Sequence, residues 1–141
     1  MEYIPTDMFL RAYGQKTLLV HDGKASGAMV VKIMSGGLTA EDNVAIRLDF
    51  SKDIANRPVE IYVEARSTDA KGGSLKAGIF SRIENRPKCE KNIALTNNGD
   101  YELVKIGEGQ FNSIKDYIYV SPSNINDSCP VYVRRIFCVK K

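Results

Sequence analysis

The chain has 141 residues, 43% hydrophobic and 26% charged, with a formal net charge of +3. That length suits one domain with a single continuous core, and no apolar run approaches the roughly 20 residues of a membrane-spanning helix. Basic residues are scattered between acidic ones, so there is no cationic stripe of the kind a nucleic-acid backbone requires.

The opening segment MEYIPTDMFL lacks a basic stretch followed by a long apolar run, so no secretory signal is expected in it. Residues 1–8 are expected to form a lead-in to a single domain over 9–141. In VHDGKASGAMVV, Asp22-Gly23 and Ser26-Gly27 are turn signals between an apolar run ending at Val20 and a strand at Met29-Val30-Val31. MSGGLTAEDN has room for one helical turn. From there the apolar period is two. NVAIRLDFS alternates Val44, Ile46, Leu48 and Phe50 against Arg47 and Asp49. VEIYVEARS turns Val59, Ile61, Val63 and Ala65 inward and Glu60, Tyr62, Glu64 and Arg66 outward. SLKAGIFSRI separates Leu75, Ala77 and Ile79 from Lys76, Gly78, Phe80 and Arg82.

Further strands are expected at YELVKIG, DYIYVSP and VYVRRIFCV, with turns at Asn97–Asp100, Gly107–Gly109 and Ser121–Ser123. In the last strand the apolar spacing runs Val131, Val133, Ile136, Cys138; the step of three predicts a β-bulge near Arg134-Arg135. No window of eleven or more residues holds a 3.6-residue period. About eight short strands with Gly, Asn and Pro turns predict an all-β fold, an antiparallel two-sheet β-sandwich of jelly-roll type.

DGKASGAMVV, YELVKIGEGQF and DYIYVSP…CPVYVRRIFCV, in that order, resemble the galactose-binding-domain-like β-jelly rolls, carbohydrate-binding-module-like domains attached to bacterial glycoside hydrolases. The resemblance runs from about Tyr13 onward. It implies a non-catalytic carbohydrate-binding or accessory module, with an oligo- or polysaccharide or a neighbouring catalytic domain as partner. It also implies a periplasmic, cell-surface or extracellular location. In such modules the final strand often carries an Asp that helps hold a structural calcium. Here Arg134 or Arg135 stands in that place, so a structural calcium is not supported and no cofactor is expected.

The residues themselves offer little for catalysis. His21 is the single histidine, at a strand end, and no serine or cysteine has a nucleophile-elbow setting. Glu60 and Glu64 share a strand face about 13 Å apart, beyond the roughly 5–9.5 Å that paired glycosidase carboxylates need. KGGSLK at Lys71 misses the spacing of a phosphate loop and reads as a hairpin tip. The three cysteines have no CxxC spacing; Cys89 and Cys129, each beside a proline in a polar segment, are candidates for a bridge, and Cys138 lies in an apolar run as a core thiol.

A binding site follows from register. If VEIYVEARSTD and GSLKAGIFSRI form a hairpin centred on Lys71, Tyr62 opposes Phe80, Glu60 opposes Arg82 and Glu64 opposes Gly78 on one outward face. Two rings offer a stacking surface to the C–H face of a sugar, and Arg and Glu offer hydrogen bonds to hydroxyls. The same set reads more readily as a stabilising cross-strand aromatic pair with an ion pair, or as a face that docks a neighbouring domain, which is the structural alternative for the whole protein. There is no tryptophan. Tyr13, Tyr117 and Tyr119 are assigned to packing.

Overall fold

The computed structural model describes residues 2–4, 17–34, 46–49, 56–67, 74–96, 99–112, 115–124 and 130–141. These form ten strands: β1 (Glu2–Ile4), β2 (Thr17–Asp22), β3 (Ala28–Ile33), β4 (Ile46–Asp49), β5 (Pro58–Ser67), β6 (Ser74–Ser81), β7 (Arg86–Ala94), β8 (Glu102–Gln110), β9 (Asp116–Asn124) and β10 (Val131–Lys140). A 3-10 turn, Gly23–Ala25, joins β2 to β3.

All pairings are antiparallel and fall into two sheets. One has the order β2-β3-β10-β5-β8, with β1 also on β10; the other has the order β4-β9-β6-β7. The inward residues of β5 (Val59, Ile61, Val63, Ala65) and β6 (Leu75, Ala77, Ile79) belong to one buried cluster with Ile118 and Val120 of β9 and Val131, Val133, Ile136 and Cys138 of β10. Each large aliphatic side chain so buried contributes about 1.5–3 kcal/mol of transfer free energy, and the two apolar faces find no other shelter from water. The fold is the expected all-β sandwich.

The bulge on β10 lies where the apolar spacing predicts it, between Val133 and Arg135 against β5. The extra residue lets Ile136 and Cys138 return to the core face after Val133.

Several local expectations are corrected. β5 and β6 are not a hairpin: β5 lies between β10 and β8, whereas β6 lies between β9 and β7 in the other sheet. β10 and β8 satisfy the backbone groups on both sides of β5, so β6 finds its partners in β9 and β7 instead. Gly107–Gly109 lies within β8 rather than a turn, and Ser121–Ser123 lies within β9. Gly109 faces the core, where an added Cβ would stand 2.6 Å from Ile79 Cδ1, so the absence of a side chain permits close packing of the sheets.

Two strands were not expected. Glu2–Ile4, within the expected lead-in, pairs with β10, and RPKCEKNIA forms β7. β7 shows no alternation because it is an edge strand with most side chains in water. Cys89 therefore sits on a strand rather than in a loop; it is a free thiol, partly buried against the core, and Cys129 lies outside the described residues. The helical turn expected in MSGGLTAEDN also falls outside them, apart from Met34.

Candidate functional site

The sandwich presents two outer faces, and the residues singled out by sequence divide between them. Tyr62, Glu60 and Glu64 lie on the six-stranded face; Phe80 lies on the four-stranded face, with Arg82 in the turn that follows β6. The expected pairs Tyr62–Phe80, Glu60–Arg82 and Glu64–Gly78 do not form, because the strands that carry them belong to different sheets. The outward orientation itself holds for Glu60, Tyr62 and Phe80, since the core takes the alternate residues.

On the six-stranded face, Tyr62 stands between Phe137 of β10 and Lys105 of β8. Its ring stacks on Phe137 at 5.3 Å with an 11° interplanar angle, and Arg135 covers the Phe137 ring at 4.8 Å. The Tyr62 hydroxyl donates to Glu60 Oε2 at 2.7 Å, and Lys105 Nζ is 3.5 Å from Glu60 and 3.1 Å from Glu108. The Tyr62 bond, with help from Lys105, lowers the Glu60 pKa, and the same bond raises that of the Tyr62 phenol. Glu64 is held by both bulge arginines: Arg134 Nε lies 3.3 Å from Oε1 in an ionic contact, and Arg135 donates to Oε2 at 3.2 and 3.3 Å. Glu60 and Glu64 are thus each ion-paired on this face. A cation at Arg134 or Arg135 would meet two guanidinium groups, so these residues do not fit the structural calcium of the resembling modules. Among the described residues no cluster of His, Cys, Asp and Glu suits a metal.

One end of this face is closed by Asp22. Its carboxylate accepts Arg66 Nε and Nη2 at 2.8 and 2.9 Å and the Tyr101 hydroxyl at 2.5 Å, and it caps the 3-10 turn through Lys24 N–H at 3.1 Å. The Arg66 fork dominates a shift that carries the Asp22 pKa down to about 2 despite burial. Arg66 also lies 4.1 Å from the Tyr132 ring centroid. The turn after Asp22 is therefore architectural: it ties the β2–β3 hairpin to β5. His21, beside it, meets Gly27 O through Nδ1 at 2.9 Å.

The four-stranded face differs in kind. Tyr117 and Tyr119 of β9 point outward opposite Phe80 and Gly78 of β6, while Ile118 and Val120 enter the core. Phe80 and Tyr117 are partly exposed, 5.4 Å apart between ring centroids and tilted by 36°; Tyr119 meets Phe80 edge-on at 6.3 Å. The Arg82 guanidinium lies 4.9 Å from the Tyr117 centroid. Tyr119 is nearly buried and donates its hydroxyl to Glu90 of β7, whose other oxygen is 4.0 Å from Lys76. Burial first, and the Glu90 bond second, push the Tyr119 phenol well above its usual range. Fixed rings beside exposed charged groups can stack on a sugar and hydrogen-bond its hydroxyls. The sequence puts Phe80 and Arg82 opposite Tyr62 and Glu60 rather than beside Tyr117, and assigns Tyr117 and Tyr119 to packing. The outward alternation of DYIYV held the missing signal, yet only the β9–β6 pairing puts those rings beside Phe80.

No protein-family model and no curated protein matches the sequence. Solved structures do match in fold. TmCBM61, solved with β-1,4-galactotriose, superposes with a TM-score of 0.59 at 10% identity over 99% of this chain and 91% of that one. A carbohydrate-binding module of family 36, solved with calcium and xylotriose, gives 0.59 at 12% identity over 92% of each chain. The mosquito-larvicidal Cry4Aa toxin from Bacillus thuringiensis gives 0.65 at 12% identity, covering 94% of this chain and 22% of the toxin. This chain thus spans about a fifth of the toxin, and nearly the full length of the two modules.

Proposed function

We propose that this chain is a non-catalytic carbohydrate-binding accessory module that takes a short glycan segment on the outer face of its four-stranded sheet. The observation that carries the reading is the Phe80–Tyr117 pair: two partly exposed rings, 5.4 Å apart, held on adjacent strands with Arg82 at their margin. Phe80 and Tyr117 stack on the sugar, Arg82 and Glu90 engage hydroxyls, and Tyr119 braces Phe80. The fold shared with modules solved on galactotriose and xylotriose supports this assignment. On the opposite face, we assign Tyr62, Glu60 and Glu64 to an ion-paired lattice that stiffens the larger sheet, because their polar groups are engaged by Lys105, Arg134 and Arg135.

By the same likeness, the module serves a polysaccharide-acting protein of a bacterial surface, periplasm or exterior, where it holds a neighbouring catalytic domain near its substrate. A glycan array followed by calorimetric titration of the hits tests the reading. Saturable binding by the intact chain that Phe80→Ala abolishes in a folded protein supports it. Absence of binding across a broad panel overturns it in favour of a domain that docks another protein.

A further inference from the structure

The β-bulge on β7 has a consequence for one side chain outside the proposed glycan site. Cys89 pairs with Ile79 and Pro87 with Phe80, which leaves Lys88 as the extra residue. Its side chain reaches the end of β8 and the start of β9. There the ammonium donates to Gln110 O at 2.8 Å, Asn112 Oδ1 at 2.7 Å and Asp116 Oδ2 at 3.0 Å. An ammonium has three donors, and these three acceptors use all of them.

The acceptors are themselves fixed. Asp116 is 2% exposed, and its Oδ2 also accepts the Asn112 N–H at 2.9 Å. The Asn112 amide nitrogen donates to Asn56 Oδ1 at 3.3 Å, which turns the amide oxygen toward Lys88. Phe111, between Gln110 and Asn112, is fully buried, and its carbonyl accepts Asn56 N–H at 2.7 Å. A backbone carbonyl, an amide oxygen and a carboxylate converging on one positive centre are the donor set of a hard-cation site. Surface lysines ordinarily hold one partner loosely; this one fills a cage.

We propose that Lys88 acts as a tethered cation, and that the three oxygens around it form a latent divalent-cation site which opens to calcium when the ammonium is removed. The oxygens need to contract by a few tenths of an ångström to reach the 2.3–2.6 Å of calcium coordination, with water completing the shell. The clamp fixes the entry into β9, one residue before Tyr117, where Lys115 O also accepts the Arg82 N–H at 3.2 Å. The clamp lies outside the proposed glycan site, and its opening to calcium does not depend on glycan binding.

The test is thermal unfolding of the wild type, Lys88→Ala and Lys88→Ala/Asp116→Asn, each in EDTA and in millimolar calcium chloride, with calcium titration by calorimetry. The expected result is a lowered Tm for Lys88→Ala in EDTA and a rise of roughly 3 °C or more in calcium at about ten times its Kd, with no rise in the wild type or the double variant. If Lys88→Ala does not fold in EDTA, refolding in calcium is scored instead, and Lys88→Asp, which adds a carboxylate, is expected to bind calcium more tightly. An unchanged Tm in Lys88→Ala overturns the proposal, as does a loss that calcium does not restore. A calcium response that persists in the double variant places the ion elsewhere and overturns it equally.

Discussion

Tyr119 of β9 places its hydroxyl on the carboxylate of Glu90 of β7, two strands away, by passing over β6 at Gly78. Gly78 lies directly between them in register and has no side chain to obstruct the ring. It also lies so close to β7 that an added Cβ would be 1.9 Å from Cys89 O and 2.9 Å from Glu90 Cα. Both obstacles are backbone. Gly78→Ala is therefore expected to push β7 away and cost about 3 kcal/mol, at the upper end of overpacking effects. Urea denaturation measures this, and a loss below about 0.5 kcal/mol would show that β7 yields freely.

The two faces make opposite predictions for sugar binding. Phe80→Ala or Tyr117→Ala removes a stacking ring and is expected to weaken a glycan hit by about tenfold or more, whereas Tyr62→Ala leaves affinity within about twofold. Titrations of all three variants, with circular dichroism to confirm folding, decide between the faces. Loss confined to Tyr62→Ala would transfer the site to the six-stranded sheet.

Asp22 gives the fold an acid limit. Its carboxyl ionises near 3.8 in an unfolded chain and about 2 in the fold, where Arg66 holds the anion. A lowered native value stabilises the fold at pH above 3.8, and the contribution is lost as pH falls toward 2, because the unfolded chain takes up the proton first. The loss is about 2 kcal/mol over that interval. Arg66→Met is expected to flatten this part of the stability profile and to lower stability near neutrality, since Asp22 then stays buried without its cation. Denaturant midpoints between pH 2 and 6 report both effects.

The described cysteines are expected to be poor nucleophiles in the native state. Burial pushes the Cys138 thiol up to about 12 and also raises Cys89, where a backbone hydrogen bond at Ile79 and then the Lys88 charge oppose the shift. From an ordinary value of 9.0, a rise to about 12 lowers the thiolate fraction on the order of a thousandfold. Alkylation at pH 8 followed by mass spectrometry should leave Cys138 unmodified until urea is added, with Cys89 reacting more slowly than a free thiol. Rapid native labelling of Cys138 would contradict its place in the core.

Much of this fold is local information. The alternation in VEIYVEARS and SLKAGIFSRI assigns each side chain to core or solvent because a strand has a period of two. The interrupted spacing of VYVRRIFCV locates a bulge because an apolar residue can return to the core only after the extra residue is absorbed. RPKCEKNIA carried no such signal, since an edge strand in water needs no apolar face.

What the sequence by itself determined is therefore the sandwich and the outward orientation of Glu60, Tyr62 and Phe80. Tertiary structure decided who stands beside whom. Strand pairing is a contest among edges far apart in the chain, and a glycine-containing link serves a hairpin or a crossing between sheets equally well. That contest separated Tyr62 from Phe80, gave Phe80 the rings of Tyr117 and Tyr119, and closed three distant oxygens around Lys88.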